Sequence, residues 1–170
     1  MLAAIRMTWS LLKLRIGVAI AASALAGMAA AKGPAISVAQ ASALALAVLG
    51  ASGAASAFNH YYERDLDREM RRTRSRPFAS GAFQPSLWWP ISFLALLVAS
   101  LALAAAANGL VSSLLVFLGS FTYGVVYTVW LKRRSAWNIV IGGLAGSFAV
   151  LAGAAAVLSL IHISEPTRPY

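Results

Sequence analysis

The sequence predicts an all-α polytopic membrane protein with about five transmembrane helices. Of its 170 residues 60% are hydrophobic, and the mean hydropathy is +0.75. Only five acids are present, and uncharged runs extend from Ile16 to Ala31 and from Gly33 to Tyr62. A soluble domain of this length has no core large enough for so much apolar surface. Runs of about 20 apolar residues match the thickness of a bilayer's hydrocarbon layer.

The first span is placed at 14–31, behind a flank of Arg6, Lys13 and Arg15. That flank resembles a signal peptide's, but the apolar run leads into further spans, so the helix is read as retained. Pro34 marks a turn, and the second span runs over 38–58. Pro85 and Pro90 flank the start of a third at 87–107, and Asn108-Gly109 supplies a tight turn into a fourth at 110–130. A fifth covers 138–160. Gly27, Gly50, Gly53, Gly142, Gly143 and Gly146 punctuate these spans. Small residues let helices approach closely, and glycine backbone facing a ligand is the second use of such surfaces.

The formal net charge of +9 is concentrated at the ends of the spans. Positive charge at span ends follows the inside-charge bias and does not indicate nucleic-acid binding. Arg6, Lys13, Arg15, the 63–77 cluster and Lys132-Arg133-Arg134 should share the cytoplasmic side, which places the amino terminus inside. Trp9, Trp88, Trp89, Trp130 and Trp137 fall near span ends, as interfacial indoles do. The chain has no cysteine. Disulfides and thiolate chemistry are excluded, so a metal would need oxygen or histidine ligands.

The stretch from Asn59 to Pro77 holds four of the five acids and six of the fourteen basic residues. If the second helix continues through it, Asn59, Glu63 and Asp67 fall on one face at i, i+4 and i+8. Their oxygens can converge on a hard divalent cation, while Asp65 points elsewhere unless the helix ends. Magnesium suits such a set, because it prefers oxygen ligands and bridges carboxylates to phosphates. Arg72 and Arg76, four apart, can present donor forks to diphosphate oxygens. A charged interfacial loop obeying the inside-charge bias is the competing reading of the same residues. His60 is read as an interface or supporting residue more readily than as a ligand, and His162 carries little functional weight.

The pattern Asn59-x-x-x-Glu63-x-Asp65-x-Asp67-x-x-Met70-x-Arg72-Thr73-x-x-Arg76-Pro77 resembles the UbiA-type intramembrane prenyltransferase superfamily. Tyr127-Thr128-x-x-Leu131-Lys132-Arg133-Arg134 and Asn138 through Gly146 narrow the resemblance to its protoheme IX farnesyltransferase family. Glu63 stands where that family more usually has aspartate. The resemblance covers residues 1–160 as the amino-terminal part of one domain, the first part of a bundle of roughly nine spans, each crossing the apolar layer. The second acidic motif of that bundle is not among these residues, and 161–170 reads as a tail outside the family pattern.

The resemblance implies magnesium-dependent transfer of a farnesyl group from farnesyl diphosphate to a vinyl group of protoheme IX, giving heme O and diphosphate. Heme is then a substrate and not a permanent prosthetic group. Glu63, Asp67 and, secondarily, Asp65 are the implied metal ligands, with Asn59 orienting a water or phosphate oxygen. Arg72 and Arg76 are the implied diphosphate clamps, with Lys132, Arg133 and Asn138 approaching from the next cytoplasmic loop. Membrane lipid surrounds the protein, in a cell inner membrane or plasma membrane. A quinone-precursor prenyltransferase and an inactive membrane scaffold are the alternatives.

Overall fold

The computed structural model describes the backbone of residues 2–132 and 134–164, and the side chains of 7–132 and 134–158. Its helices are α1 (Leu2–Leu11), α2 (Leu14–Ala30), α3 (Val38–Tyr62), α4 (Arg64–Glu69), α5 (Trp88–Asn108), α6 (Leu110–Phe121) and α7 (Asn138–Ser164). A π-helical segment, Thr122–Leu131, continues α6 without a break. Among the described residues there is no strand. Among the described residues four helical stretches are long and apolar enough to cross a membrane: Val38–Tyr62, Trp88–Asn108, Leu110–Leu131 and Asn138–Leu158. The apolar helix α2, with 17 residues, is the shorter fifth.

Local chemistry fixes the ends. Ser37 Oγ accepts from the Gln40 N–H at 3.2 Å while Gln40 Oε1 accepts from the Ser37 N–H at 3.0 Å, a capping box that starts α3. Pro90 lies inside the first turn of α5, where a missing N–H has no helical partner to lose. Gly109 adopts φ 86, a conformation that costs glycine little, and so joins α5 to α6 without a loop. Asn108 Nδ2 then ties this corner to the start of α3 by donating to the Gln40 carbonyl at 3.3 Å.

The five long helices close into a ring: α2 packs on α3, α3 on α5, α5 on α6, α6 on α7, and α7 back on α2. Ala24, Leu44, Ala47, Ala51, Ala104 and Ala152 form the centre of its core. The seam between α2 and α7 depends on glycine, because a Cβ on Gly27 would overlap the Val150 carbonyl and one on Gly153 the Ala24 carbonyl. Gly27 is therefore a packing residue. One expectation needs correction: the helix does not run unbroken through the acidic stretch. Glu63, at φ −92 and ψ 5, separates α3 from α4. The bonds from Glu63 N to Asn59 O and from Asp67 N to Glu63 O nevertheless preserve the four-residue spacing across the break.

Candidate functional site

The polar end of the ring gathers around three buried side chains, Asn59, Glu63 and Asp67. Asn59 Nδ2 donates to Glu63 Oε2 at 3.0 Å and to Thr128 Oγ1 at 3.1 Å. Lys132 Nζ donates to the same Glu63 oxygen at 2.5 Å, and Arg76 Nη1 donates to Asp67 Oδ2 at 2.7 Å. Each buried carboxylate thus has one cation, Lys132 from an element distant in sequence and Arg76 from the turns just after α4. Thr73 Oγ1 donates to the Asp67 carbonyl at 3.2 Å, fixing the turn that brings Arg76 back.

The π-helical segment explains how Lys132 arrives. Its i→i+5 bonding, ending with Lys132 N to Tyr127 O at 2.9 Å, turns Thr128 toward Asn59. Thr128 Oγ1 also donates to the Tyr123 carbonyl at 2.8 Å, so one hydroxyl secures both the helix irregularity and the acidic cluster. Tyr123 and Tyr127 stack with centroids 5.6 Å apart, and Lys132 Nζ lies 5.7 Å from the Tyr127 ring centroid. Asn138 Nδ2 donates to the Lys132 carbonyl at 3.4 Å and so steadies the loop beneath the lysine.

Other members of the charged stretch lie outside this cluster. The Asp65 side chain is 71% exposed and pairs with Arg64 at 3.8 Å and Arg68 at 3.4 Å. Arg72 is exposed, because the chain after Met70 forms turns in which a four-residue spacing no longer selects one face. Arg133 lies outside the described residues, as do the side chain of His162 and the end of the expected 161–170 tail. Among the described residues no three His, Asp or Glu side chains converge on one point. The buried carboxylate and amide side chains of the stretch are Glu63, Asp67 and Asn59. They fit magnesium, which takes one or two protein carboxylates and fills its remaining positions with waters and phosphates. Glu63 Oε1 is buried without a hydrogen-bond partner, an oxygen left for such a ligand.

Lys13, read from the sequence only as a topology signal, belongs to this site. Its backbone is left-handed, at φ 45 and ψ 47, and its Nζ donates to Tyr123 Oη at 3.1 Å. Burial, and then the Arg76 and Lys132 charges, lower its amine to a pKa of about 8, against the opposing pull of Glu63 and Asp67. Below the cluster lies an apolar cavity of about 300 Å³ between α2, α3, α6 and α7, with Lys13 and Tyr123 in its lining. Gly143 and Gly146 also line it, and a Cβ at either would meet nothing within 4 Å. Gly142 lines it too, and packs on the Tyr127 ring. The glycines of α7 thus serve both uses, close packing and an open ligand-sized space.

Residues 20–166 match the UbiA prenyltransferase family. The chain belongs to that family. Its UbiA region holds the acidic cluster, Arg76, the π-helical segment and Lys132, whereas Lys13 precedes it. The chain is 58% identical over 155 residues to protoheme IX farnesyltransferase 2 of Paramagnetospirillum magneticum, covering 91% of this chain and 54% of that protein. It is 52% identical over 147 residues to protoheme IX farnesyltransferase 1 of the same organism, covering 86% and 51%. Similarity to the protoheme IX farnesyltransferase of Anaplasma marginale is 40% over 155 residues, covering 91% and 51%. The chain spans about half the length of these curated relatives. No solved structure matches it.

Proposed function

We propose that the whole protein transfers a farnesyl group from farnesyl diphosphate to a vinyl group of protoheme IX, releasing diphosphate and giving heme O. The observation that carries this is the buried Glu63–Lys132 pair, with Asp67–Arg76 next along the chain, joined through Asn59, Thr128 and Tyr123 to an apolar cavity that Tyr123 lines. A polar anchor and a dry slot are what an isoprenoid diphosphate needs. The names of the similar proteins supply the acceptor.

Glu63 and Asp67 would hold magnesium, with Asn59 oriented beside them by Thr128. When bound, the metal neutralises charge on the diphosphate and favours its departure. Arg76 and Lys132 supply further donors to the phosphate oxygens as the C1–O bond breaks and its electrons leave on the diphosphate. The cavity keeps the allylic chain from water. The vinyl carbon attacks C1, and water adds to the resulting cation with loss of a proton. The charged end of the ring faces the cytoplasm in this reading, so that a label at Arg74 is reached from that side.

The test is heme O formation by the whole protein supplied with magnesium, farnesyl diphosphate and protoheme IX. Arg76→Ala should lower turnover by about 10²–10³-fold, as the loss of a donor to developing charge does. Undiminished turnover would remove the site assignment. Preferential transfer to 4-hydroxybenzoate would move the acceptor to the quinone-precursor class.

A further inference from the structure

Beyond the residues of the acidic motif and its cations, we propose that Lys13 and His60 form an additional wall of the anion site, binding phosphoryl oxygens through the Lys13 ammonium and a buried imidazole N–H. This rests on the diphosphate reading above and extends it to the α1–α2 junction.

Lys13 is the sole non-glycine residue with positive φ among those described. An L-residue in that conformation is strained. The strain accompanies an inward aim. Arg15, two residues later, is exposed at the interface as a topology charge should be, whereas Lys13 is partly buried against Tyr123 and lines the cavity. One of the ammonium's three donors goes to Tyr123 Oη, which leaves two for a ligand.

The charge balance points the same way. Lys13, Arg76 and Lys132 act electrostatically with Glu63 and Asp67. Three cations against two carboxylates leave one positive charge in excess within a poorly hydrated cluster. Such an excess favours an anion, and a diphosphate that has taken up one magnesium still carries negative charge to meet it.

His60 is 2% exposed, and neither ring nitrogen has a hydrogen-bond partner. Leaving such a group unpaired is costly, so a native orphan of this kind marks a missing partner. Ser56, one turn earlier on α3, donates to the Leu11 carbonyl at 3.0 Å, which sets this side of α3 against the α1–α2 junction. The cations acting on His60 are Arg76, Lys13 and Lys132. Their positive charge favours an anion over a further cation at the imidazole, and a ring N–H can donate to that anion.

The experiment is equilibrium binding of inorganic diphosphate with magnesium to the whole protein in phosphatidylcholine nanodiscs. Lys13→Met should weaken binding by about 10–100-fold, the range for losing a hydrogen bond to a charged group. His60→Leu should weaken it by about tenfold, and His60→Gln, which keeps a donor, should recover most of that loss. A purely structural histidine would not show rescue of affinity by glutamine. Wild-type affinity in both Lys13→Met and His60→Leu, with binding lost in Arg76→Ala, would overturn this proposal and leave the diphosphate site standing. No binding by the wild type would overturn both. Repetition in phosphatidylglycerol nanodiscs should give the same Lys13→Met effect; an effect confined to that lipid would assign the lysine to a headgroup and overturn the proposal.

Discussion

Asp65 and Asp67 are two residues apart in the same charged stretch, yet their side chains are 71% and 4% exposed. Asp65 pairs with Arg64 and Arg68 at the surface, where such pairs contribute about 0–1 kcal/mol. Asp67 meets Arg76 at 2.7 Å inside the cluster, where an unpaired charge is far more costly. Composition cannot distinguish the two. Phase relative to Asn59 can, because Asp67 lies two helical turns along the face that Asn59 and Glu63 already occupy.

The largest expected effect on stability comes from breaking the buried side. Lys132→Met would strand the Glu63 carboxylate, which is 1% exposed, and should cost about 3–5 kcal/mol in reversible unfolding from mixed micelles. Adding Glu63→Gln should recover part of that loss; additive penalties would show that the pair is not coupled in the folded protein.

A smaller loss is expected one hydrogen bond further out. Thr128→Val keeps the side chain's shape but removes the acceptor for Asn59 and the donor to the Tyr123 carbonyl. It should cost about 1–3 kcal/mol. An unchanged midpoint of unfolding would mean that the π-helical segment holds its register without this hydroxyl.

The burial of Lys13 should show in the pH dependence of stability. Its folded pKa is lowered from 10.5 to about 8, so between those values the unfolded chain binds more protons than the folded one. Its linked contribution is therefore present above about pH 10.5 and is lost as pH falls through 8. Wild-type stability should rise relative to Lys13→Met across that window. Parallel curves would remove the burial of this amine from the account.

The spans were legible because long apolar runs end in charge, turn residues or proline. The reading at 38–58, 87–107 and 110–130 starts within a residue of the observed helices. The shared burial of Asn59, Glu63 and Asp67 was also legible, since four-residue backbone bonding survives a single non-helical residue at Glu63. The π register was not, because α- and π-helical bonding place the same apolar residues in the same span and differ only in which neighbour each N–H finds. Lys13 was hidden for a related reason. Left-handed backbone is usually signalled by glycine or asparagine, and Leu12-Lys13-Leu14 contains neither. Arg72 shows the opposite failure, a helical spacing applied to residues that form turns.

The central claim is that the inward side of the charged stretch performs the chemistry and the outward side does not. Its most direct test is heme O turnover by Asp67→Asn and Asp65→Asn of the whole protein, measured side by side under saturating magnesium, farnesyl diphosphate and protoheme IX. Asp67→Asn should be slower by about 10²–10⁴-fold, as expected when transition-state electrostatics are lost, while Asp65→Asn stays within about threefold of wild type, as exposed ion pairs allow. Equal losses in both variants, or a greater loss for Asp65→Asn, would contradict the account.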